Sequence, residues 1–295
     1  MKTILVPIDF TDASENALVY ANSLAVRLPA KVVLVGSGIG SELAPDRRAA
    51  RLARLAALAE RLRYRQVARQ SGRRINYWYH LAGTCVPEAL RTLVAGYRAD
   101  LVVTGLNLAN GSASTSAGDA ATLLPDHISC PVLMVPPGHH ALPAYVVVAG
   151  DFAHFQGRRL AWLPTLARTP SAHFDLVQFP PDDNQSLGSL RKSLLTAHAY
   201  LPSAAVNLLP KNDALEGISA YCAQQSAELL VIASAAEELL HRFFNPNATR
   251  AIPYHLCIPI LLLPTRIPPQ EAYWAESAVQ QGVKNQMVDV STETL

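Results

Sequence analysis

The sequence predicts an α/β fold built from two tandem copies of one doubly wound, five-stranded parallel sheet. Three observations support this prediction: segments of the first half recur in the second, short apolar runs alternate with amphipathic stretches, and the runs are apolar at consecutive positions. Strands that are apolar throughout are typical of a parallel sheet that helices cover on both faces. The crossovers that join such strands are right-handed.

The repeat is seen in three pairs of segments. They are Asp100–Gly105 with Glu228–Ala233, His127–Pro136 with His255–Pro264, and Ile4–Phe10 with Val146–Phe152. The first two pairs share an offset of 128 residues, and the third has an offset of 142. A tandem duplication explains two matches at one ungapped offset. It divides the chain into a first domain at residues 1–138, a second at 144–266 and a C-terminal tail at 267–295.

The elements of the first copy follow in order. The strand Thr3–Ile8 leads into a helix that a capping box at Asp12–Glu15 opens. A long helix from Pro45 to about Gln70 carries its leucines on one stripe, and Pro87 stands at a favoured first helical position. The other predicted strands are Lys31–Val35, Ile75–His80, Leu101–Thr104 and Val132–Val135. A linker rich in breakers, Pro137–Pro143, then leads to the second copy.

Composition restricts the class of protein. Half of the 295 residues are hydrophobic, which suffices for sizeable cores, and the formal net charge is +2. So small a charge argues against nucleic acid or an anionic membrane as a partner. No apolar run reaches the roughly 18–20 residues of a membrane span, and the opening residues lack the features of a signal peptide. Four isolated cysteines without a CxxC pair favour the reducing cytoplasm.

Motifs of enzymes and metal sites are absent from the sequence. It contains no Gly-x-Ser-x-Gly, His-Glu-x-x-His or Walker-type Gly-Lys-Ser/Thr segment, and no histidine pair has the helical spacing of metal ligands. We therefore expect neither catalysis nor a metal. The long helix carries eight arginines, a pattern more typical of a solvated helix face than of an anionic partner. The eight are Arg47, Arg48, Arg51, Arg54, Arg61, Arg63, Arg65 and Arg69.

Four segments, in this order, resemble the universal stress protein family in its tandem two-domain form. They are Ile4–Phe10 with Ser14, Gly83–Glu88, Asp100–Gly105 and Cys130–Pro136. The resemblance covers about residues 1–136 and, more weakly, 144–264. It implies Rossmann-like domains of the adenine-nucleotide alpha hydrolase type, with strand order 3-2-1-4-5. It also implies a cytoplasmic stress-response protein that acts by binding or regulation rather than by catalysis.

One branch of that family binds ATP through the pattern Gly-x2-Gly-x9-Gly-Ser/Thr after the fourth strand. In this sequence the four positions are Gly105, Leu108, Gly118 and Asp119. Leu108 adds a side chain where a glycine would let the backbone approach a phosphate. Asp119 would cap the following helix with its own carboxylate and repel a phosphate. The loop is therefore changed at two of its four positions.

The resemblance sets the candidate ligand site of the first domain at the carboxyl ends of its strands, where ligands bind in open α/β sheets. The candidate cofactor-binding residues are Pro7, Ile8, Asp9, Ser37, Thr104, Gly105, Asn107, Gly118 and Asp119. In the family the residue that matches Asp9 faces the adenine and ribose, and helix capping is the alternative role. An adenine nucleotide such as ATP and a surface loop without a ligand both stay open.

The second copy departs further from the ATP-binding pattern. Its residues in the same frame are Ala233, Ala236, Pro246 and Asn247, and the proline has no N–H to offer a phosphate. We expect the second domain not to bind nucleotide in the family's manner, and Asp151 to be a capping residue.

Three functions follow: a binding or regulatory stress protein, an ATP-binding regulator with slow hydrolysis in the first domain, and a scaffold for protein partners. The fifth strands, Pro131–Val135 and Pro259–Leu263, would be open apolar edges in separate domains. Antiparallel pairing of the two would satisfy both sets of backbone groups and bury both runs. We therefore expect an intrachain pseudo-dimer, with other surfaces serving any homo-oligomer.

Overall fold

A computed structural model provides the fold. It describes residues 2–37, 45–68, 74–82, 87–106, 128–139, 141–150, 152, 160–169, 171–178, 187–209, 214–233 and 257–264. No helix in these ranges is long and apolar enough to cross a membrane.

One sheet contains the ten strands of the described chain. They are β1 (Lys2–Ile8), β2 (Ala30–Ser37), β3 (Tyr77–Ala82), β4 (Leu101–Gly105), β5 (Val132–Val135), β6 (Tyr145–Gly150), β7 (His173–Gln178), β8 (Ala205–Leu208), β9 (Leu229–Ala233) and β10 (Ile260–Leu262). Their order is β3-β2-β1-β4-β5-β10-β9-β6-β7-β8. Counted from its own first strand, each half has the order 3-2-1-4-5, and its strands are parallel, so the predicted topology is confirmed.

The two halves meet at the fifth strand of each copy. β5 and β10 pair antiparallel, with Leu133 directly opposite Leu261 and Met134 opposite Ile260. All four side chains are buried. Two apolar edges therefore satisfy each other within one chain, which confirms the predicted pseudo-dimer.

Helices cover both faces of the sheet. They are α1 (Asp12–Arg27), α2 (Pro45–Ala68), α3 (Pro87–Tyr97), α4 (Leu187–Tyr200) and α5 (Ala214–Gln225), with a short 3-10 helix at Leu163–Leu166. Residues of α1, α2 and α4 share one core with strand residues such as Val6, and residues of α3 and α5 share the other with strand residues such as Leu5. Since strand side chains alternate between faces, consecutive apolar residues supply both cores.

Two local predictions need correction. The third strand begins at Tyr77 rather than Ile75, although Ile75 is fully buried. The N-cap of α1 is Thr11 rather than Asp12, because the Thr11 side chain accepts from the backbone N–H of Ser14 and its backbone is extended. The domain limits at 138, 144 and 266 stay predictions, and the tail lies outside the described residues.

Candidate ligand crevice

The first half of the sheet changes direction between β1 and β4. β1 lies beside β2 on one side and β4 on the other, so the chain is wound outward in opposite directions from this point. In open α/β sheets a crevice forms at such a switch point, outside the carboxyl ends of the strands. Asp9, Ser37 and Gly105 stand at the carboxyl ends of β1, β2 and β4, so the topology brings these predicted site residues to one edge.

The pairing of β1 with β4 stops before it reaches the crevice. Their last pair is Leu5 with Val102, whereas β1 and β2 stay paired up to Ile8 with Gly36. The two strands that flank the switch point are therefore not joined at their carboxyl ends.

Pro7 explains why this ladder stops. The carbonyl of Thr3 accepts a hydrogen bond of 2.9 Å from the backbone N–H of Asp100, at the start of β4. Because backbone groups alternate sides along a strand, Leu5 and Pro7 face β4 as well. Proline has no N–H, so Pro7 cannot donate the next hydrogen bond of the ladder.

Asp9 is an exposed carboxylate held by the chain that follows it. Its Oδ1 accepts from the backbone N–H of Thr11 at 2.9 Å and from the Thr11 hydroxyl at 2.6 Å. Burial by itself raises the pKa of Asp9, but hydrogen bonds from Thr11 and Ser14 outweigh it and hold the pKa below the ordinary 3.8. Asp9 is therefore an anion at neutral pH, suited to accept hydrogen bonds from hydroxyl or amino groups rather than to meet a phosphate.

Phe10 lines the same edge in an unusual backbone conformation. Its φ of 66° is in the left-handed region, which few non-glycine residues adopt. The guanidinium of Arg54, on α2, lies 4.0 Å from the centre of the Phe10 ring. A cation this close to an aromatic face is attracted to it. α2 is thereby fixed beside the end of β1.

Gly36 is closely packed at the end of β2. A Cβ there would lie 2.9 Å from a Leu81 methyl and 3.1 Å from a Leu55 methyl, so the position accepts a larger residue only if these side chains move. Ser37, its neighbour, pairs through its backbone with Ala82 of β3. Position 36 thus has no side chain of its own and is covered by Leu55 and Leu81.

Gly105 has a packing role that the loop pattern does not reveal. A Cβ there would lie 2.5 Å from the carbonyl oxygen of Ala13, in the first turn of α1. That distance is far below any van der Waals contact, so glycine is required for α1 to pack on the end of β4. Gly105 is therefore not by itself a sign of phosphate binding.

The structure describes only two of the remaining predicted site residues. Ile8 is fully buried in the core, and Thr104 is half-buried opposite Met134 of β5. Asn107, Gly118 and Asp119 lie outside the described residues.

The second copy differs at each corresponding position. β6 and β9 remain paired up to Gly150 with Ala233, the last residue of each strand. The residue that matches Pro7 is Ala149, which keeps its N–H. The residue that matches Gly36 is Gln178, because each pairs with the last residue of the first strand of its copy. Asp151, the predicted capping residue, lies outside the described residues.

Gln178 occupies the corresponding edge of the second copy. Its side chain is 1% exposed, and its Oε1 accepts from the backbone N–H of Phe152 at 3.2 Å. It thus bridges the ends of β6 and β7 where the first copy has no side chain. Sequence reasoning did not identify Gly36, Gln178 or Arg54. The offset of 142 aligns the first two, but neither belongs to a recurring segment, and the contact of Arg54 comes from tertiary structure.

Comparisons with known proteins bear on the whole chain. Residues 1–136 match the model of the Universal stress protein family. A universal stress protein from Archaeoglobus fulgidus DSM 4304 is 14% identical over 89% of this chain and 96% of that one, with a TM-score of 0.63. A putative universal stress protein from Pseudomonas aeruginosa UCBPP-PA14 is 15% identical over 95% and 98%, with a TM-score of 0.56. No protein of curated function matches. At these identities the solved structures are similar to both halves in fold alone.

Proposed function

Because the chain belongs to the universal stress protein family through residues 1–136, we propose that it is a tandem stress-response protein that acts by binding an adenine nucleotide in the crevice of its first copy. The second copy, in this proposal, is a structural partner that binds no nucleotide. Its Gln178 side chain stands where the first copy has Gly36.

The observation that carries the proposal is the unpaired end of β1 and β4. Pairing stops at Leu5 with Val102 in the first copy and continues to Gly150 with Ala233 in the second. Ligands in this class of fold enter where the flanking strands part, at the switch point. Only the first copy keeps that arrangement within the described part of the chain.

The chemistry of the rim favours a nucleoside. Asp9 is an exposed anion whose lowered pKa keeps it ionised, and a ribose hydroxyl or an adenine amino group is a matching donor. We propose regulation rather than catalysis, since the sequence contains none of the three catalytic motifs named above. The proposal assigns the protein to the cytoplasm, which its isolated cysteines support.

Thermal unfolding with added nucleotide tests the proposal. Millimolar ATP, ADP and AMP, each with a Mg²⁺-only control, should raise the Tm, because a ligand that binds the native state alone stabilises it. Asp9→Asn should weaken binding by roughly tenfold or more, since it replaces a charged acceptor by a neutral one. Asn can still accept from Thr11, so the turn before α1 is kept.

A second variant addresses the changed loop. Asp119→Ser restores the family residue and removes a negative charge, so it should strengthen ATP binding. If neither wild type nor Asp119→Ser shows a Tm shift with millimolar ATP, the nucleotide proposal is wrong.

A scaffold for protein partners is the second candidate, and β8 favours it. β8 ends the sheet, and its Val206 and Leu208 are 43% and 58% exposed. An apolar edge strand invites pairing with a strand of another chain. Leu208→Lys should abolish such pairing and leave nucleotide binding intact, which separates the two candidates.

A further inference from the structure

The first turns of α2 extend beyond the carboxyl edge of the sheet. Leu55 packs against Gly36, next to the last residue of β2. Arg54 stacks on Phe10, which follows β1. The ten residues before Leu55 therefore lead beyond the strand ends, with Leu52 still packed against the core, and at 1.5 Å per residue they span roughly 15 Å. We call this segment, Pro45–Arg54, the α2 overhang.

The overhang stands beside the crevice rather than away from it. Arg54 contacts Phe10, and one helical repeat later Arg61 forms an ion pair with Glu15 of α1 at 2.5 Å. Residues seven apart lie on nearly the same side of a helix. Arg47, seven residues before Arg54, therefore lies on the side of α2 that faces α1 and the end of β1.

The charge of the overhang is strongly positive. It contains four arginines and one acidic residue, Asp46, in ten positions, and residues 45–50 are all exposed. The arginines are Arg47, Arg48, Arg51 and Arg54. The field of Arg48 reaches the sheet, since together with burial it lowers the pKa of His80 on β3. The positive N-terminal end of the helix adds to this field.

The lower arginines of α2 differ from those of the overhang. Arg61 pairs with Glu15, and Arg63 pairs with Glu60 and stacks over the Tyr77 ring. Within the described part of the chain, no ion pair involves Arg47 or Arg54. Arg61 and Arg63 are therefore paired with acids, whereas Arg47 and Arg54 lie beside the crevice.

We propose that the α2 overhang binds the phosphate groups of the nucleotide in the first copy. This inference rests on the proposed function and adds the position of the phosphates. Arginine binds phosphate oxygens with two parallel hydrogen bonds as well as charge. The crevice thus has an anionic rim at Asp9 for the nucleoside and a cationic wall at Arg47 and Arg54 for the phosphates.

The loop after β4 is the poorer phosphate site. Leu108 and Asp119 stand at two of the positions that its pattern reserves for glycine and for serine or threonine. Asp119 carries a negative charge, which a phosphate would have to approach. A phosphate site on α2 avoids both obstacles.

Calorimetric titration of three ligands into matched variants tests the inference. The ligands are ATP, adenosine and inorganic tripolyphosphate. Arg47→Gln with Arg54→Gln removes two charges from the overhang, and Arg65→Gln with Arg91→Gln removes two from exposed positions elsewhere. The overhang variant should raise the Kd of ATP about tenfold or more, abolish tripolyphosphate binding and leave adenosine binding unchanged. The control variant should bind all three as wild type does.

Four outcomes would overturn the inference. Unchanged ATP affinity in the overhang variant, or equal weakening of ATP and adenosine, would do so while the proposed nucleotide function stands. Equal affinity of the wild type for ATP and adenosine would show that the phosphate groups contribute nothing to binding. Binding of neither ATP nor adenosine to the wild type would reject the proposed function together with the inference.

Discussion

The two copies share a strand order but end their central ladders differently. In the first copy β1 and β4 part after Leu5 and Val102, and in the second β6 and β9 stay paired to their last residues. Pro7 faces β4 without an N–H, whereas Ala149 can donate at the same place. One residue type at a ladder position thus decides whether the switch point of the sheet is open or closed.

The two copies also differ at the carboxyl end of their second strand and at their outermost strand. Gly36 leaves the end of β2 without a side chain, while Gln178 spans the end of β7 and binds the backbone of Phe152. At the outer edge, Tyr79 of β3 is 9% exposed, whereas Val206, the residue of β8 in the same register, is 43% exposed. The second copy therefore bridges the ends of its strands and exposes more of its outer edge at this position than the first copy does.

The largest loss of stability is expected from substitutions where β5 pairs with β10, since both copies contribute a buried leucine there. Leu133 and Leu261 are opposite each other and fully buried. Lysine at both positions would bury two like charges, which should cost at least about 4–5 kcal/mol and unfold both halves together. Urea denaturation measures the loss, and Leu133→Lys with Leu261→Glu is the matched control, which should lose less. Retained stability in the double-lysine variant would contradict the antiparallel pairing of β5 with β10.

Gly105→Ala should have the next largest effect. The new Cβ would lie 2.5 Å from the Ala13 carbonyl oxygen, so α1 or β4 must move. Overpacking against backbone should destabilise the chain by about 3 kcal/mol. The reverse change in the second copy, Ala233→Gly, should cost about 1 kcal/mol through backbone entropy. Equal losses would show that the tight α1–β4 contact does not explain Gly105.

Substitutions at Pro7 and Ala149 test whether proline at this position keeps the ends of the central strands unpaired. Ala149→Pro removes an N–H that faces β9 and leaves a buried carbonyl without its donor, at a cost of about 2 kcal/mol. Pro7→Ala should add about 1 kcal/mol of stability if β4 can then pair further with β1. It should also weaken nucleotide binding by narrowing the crevice. Hydrogen exchange of the strand amides would locate both changes, and an unprotected amide at position 7 would contradict this account.

Much of the fold could be predicted from the sequence, and the reasons are physical. The repeated apolar runs predicted the strands. The pairing of β5 with β10 could be predicted because two apolar edge strands in one chain satisfy their backbone groups by pairing with each other. The start of β3 was wrong by two residues, because Ile75 is buried like a strand residue although it lies outside the ladder.

The candidate site could be predicted only in part. Asp9 and Gly105 were found because they end apolar runs. The partner of Gly105, Ala13, lies on a different element, so its packing role was invisible. Gly36 and Gln178 are 142 residues apart, the offset of the first repeated strand, but the hydrogen bond that Gln178 accepts from the Phe152 backbone comes from tertiary structure. The Arg54–Phe10 contact likewise depends on how far α2 extends along α1, and no local pattern encodes that.

The smallest expected effect is a response to acid that belongs to the first copy. His80 lies on β3, and its Nδ1 is 3.1 Å from the Tyr97 hydroxyl. The corresponding residue of the second copy is Asn207, since His80 pairs with Val35 and Asn207 with Val177. Asn207 does not titrate, so only the first copy carries an ionisable group at this position.

The sign of the effect follows from the pKa of His80. Burial and then the charge of Arg48 lower this pKa below the ordinary 6.5. As pH falls below about 6.5, the unfolded chain therefore gains a proton that the folded chain does not, and stability falls. The contribution of His80 to this fall is limited to about 1.4 kcal/mol per pH unit, the slope for one proton. Urea denaturation at pH 7.5 and 5.5 should show a smaller fall for His80→Gln than for wild type. In Tyr97→Phe, which keeps the imidazole, the fall should persist. An equal fall in wild type and His80→Gln would show that His80 does not carry the acid response of the first copy.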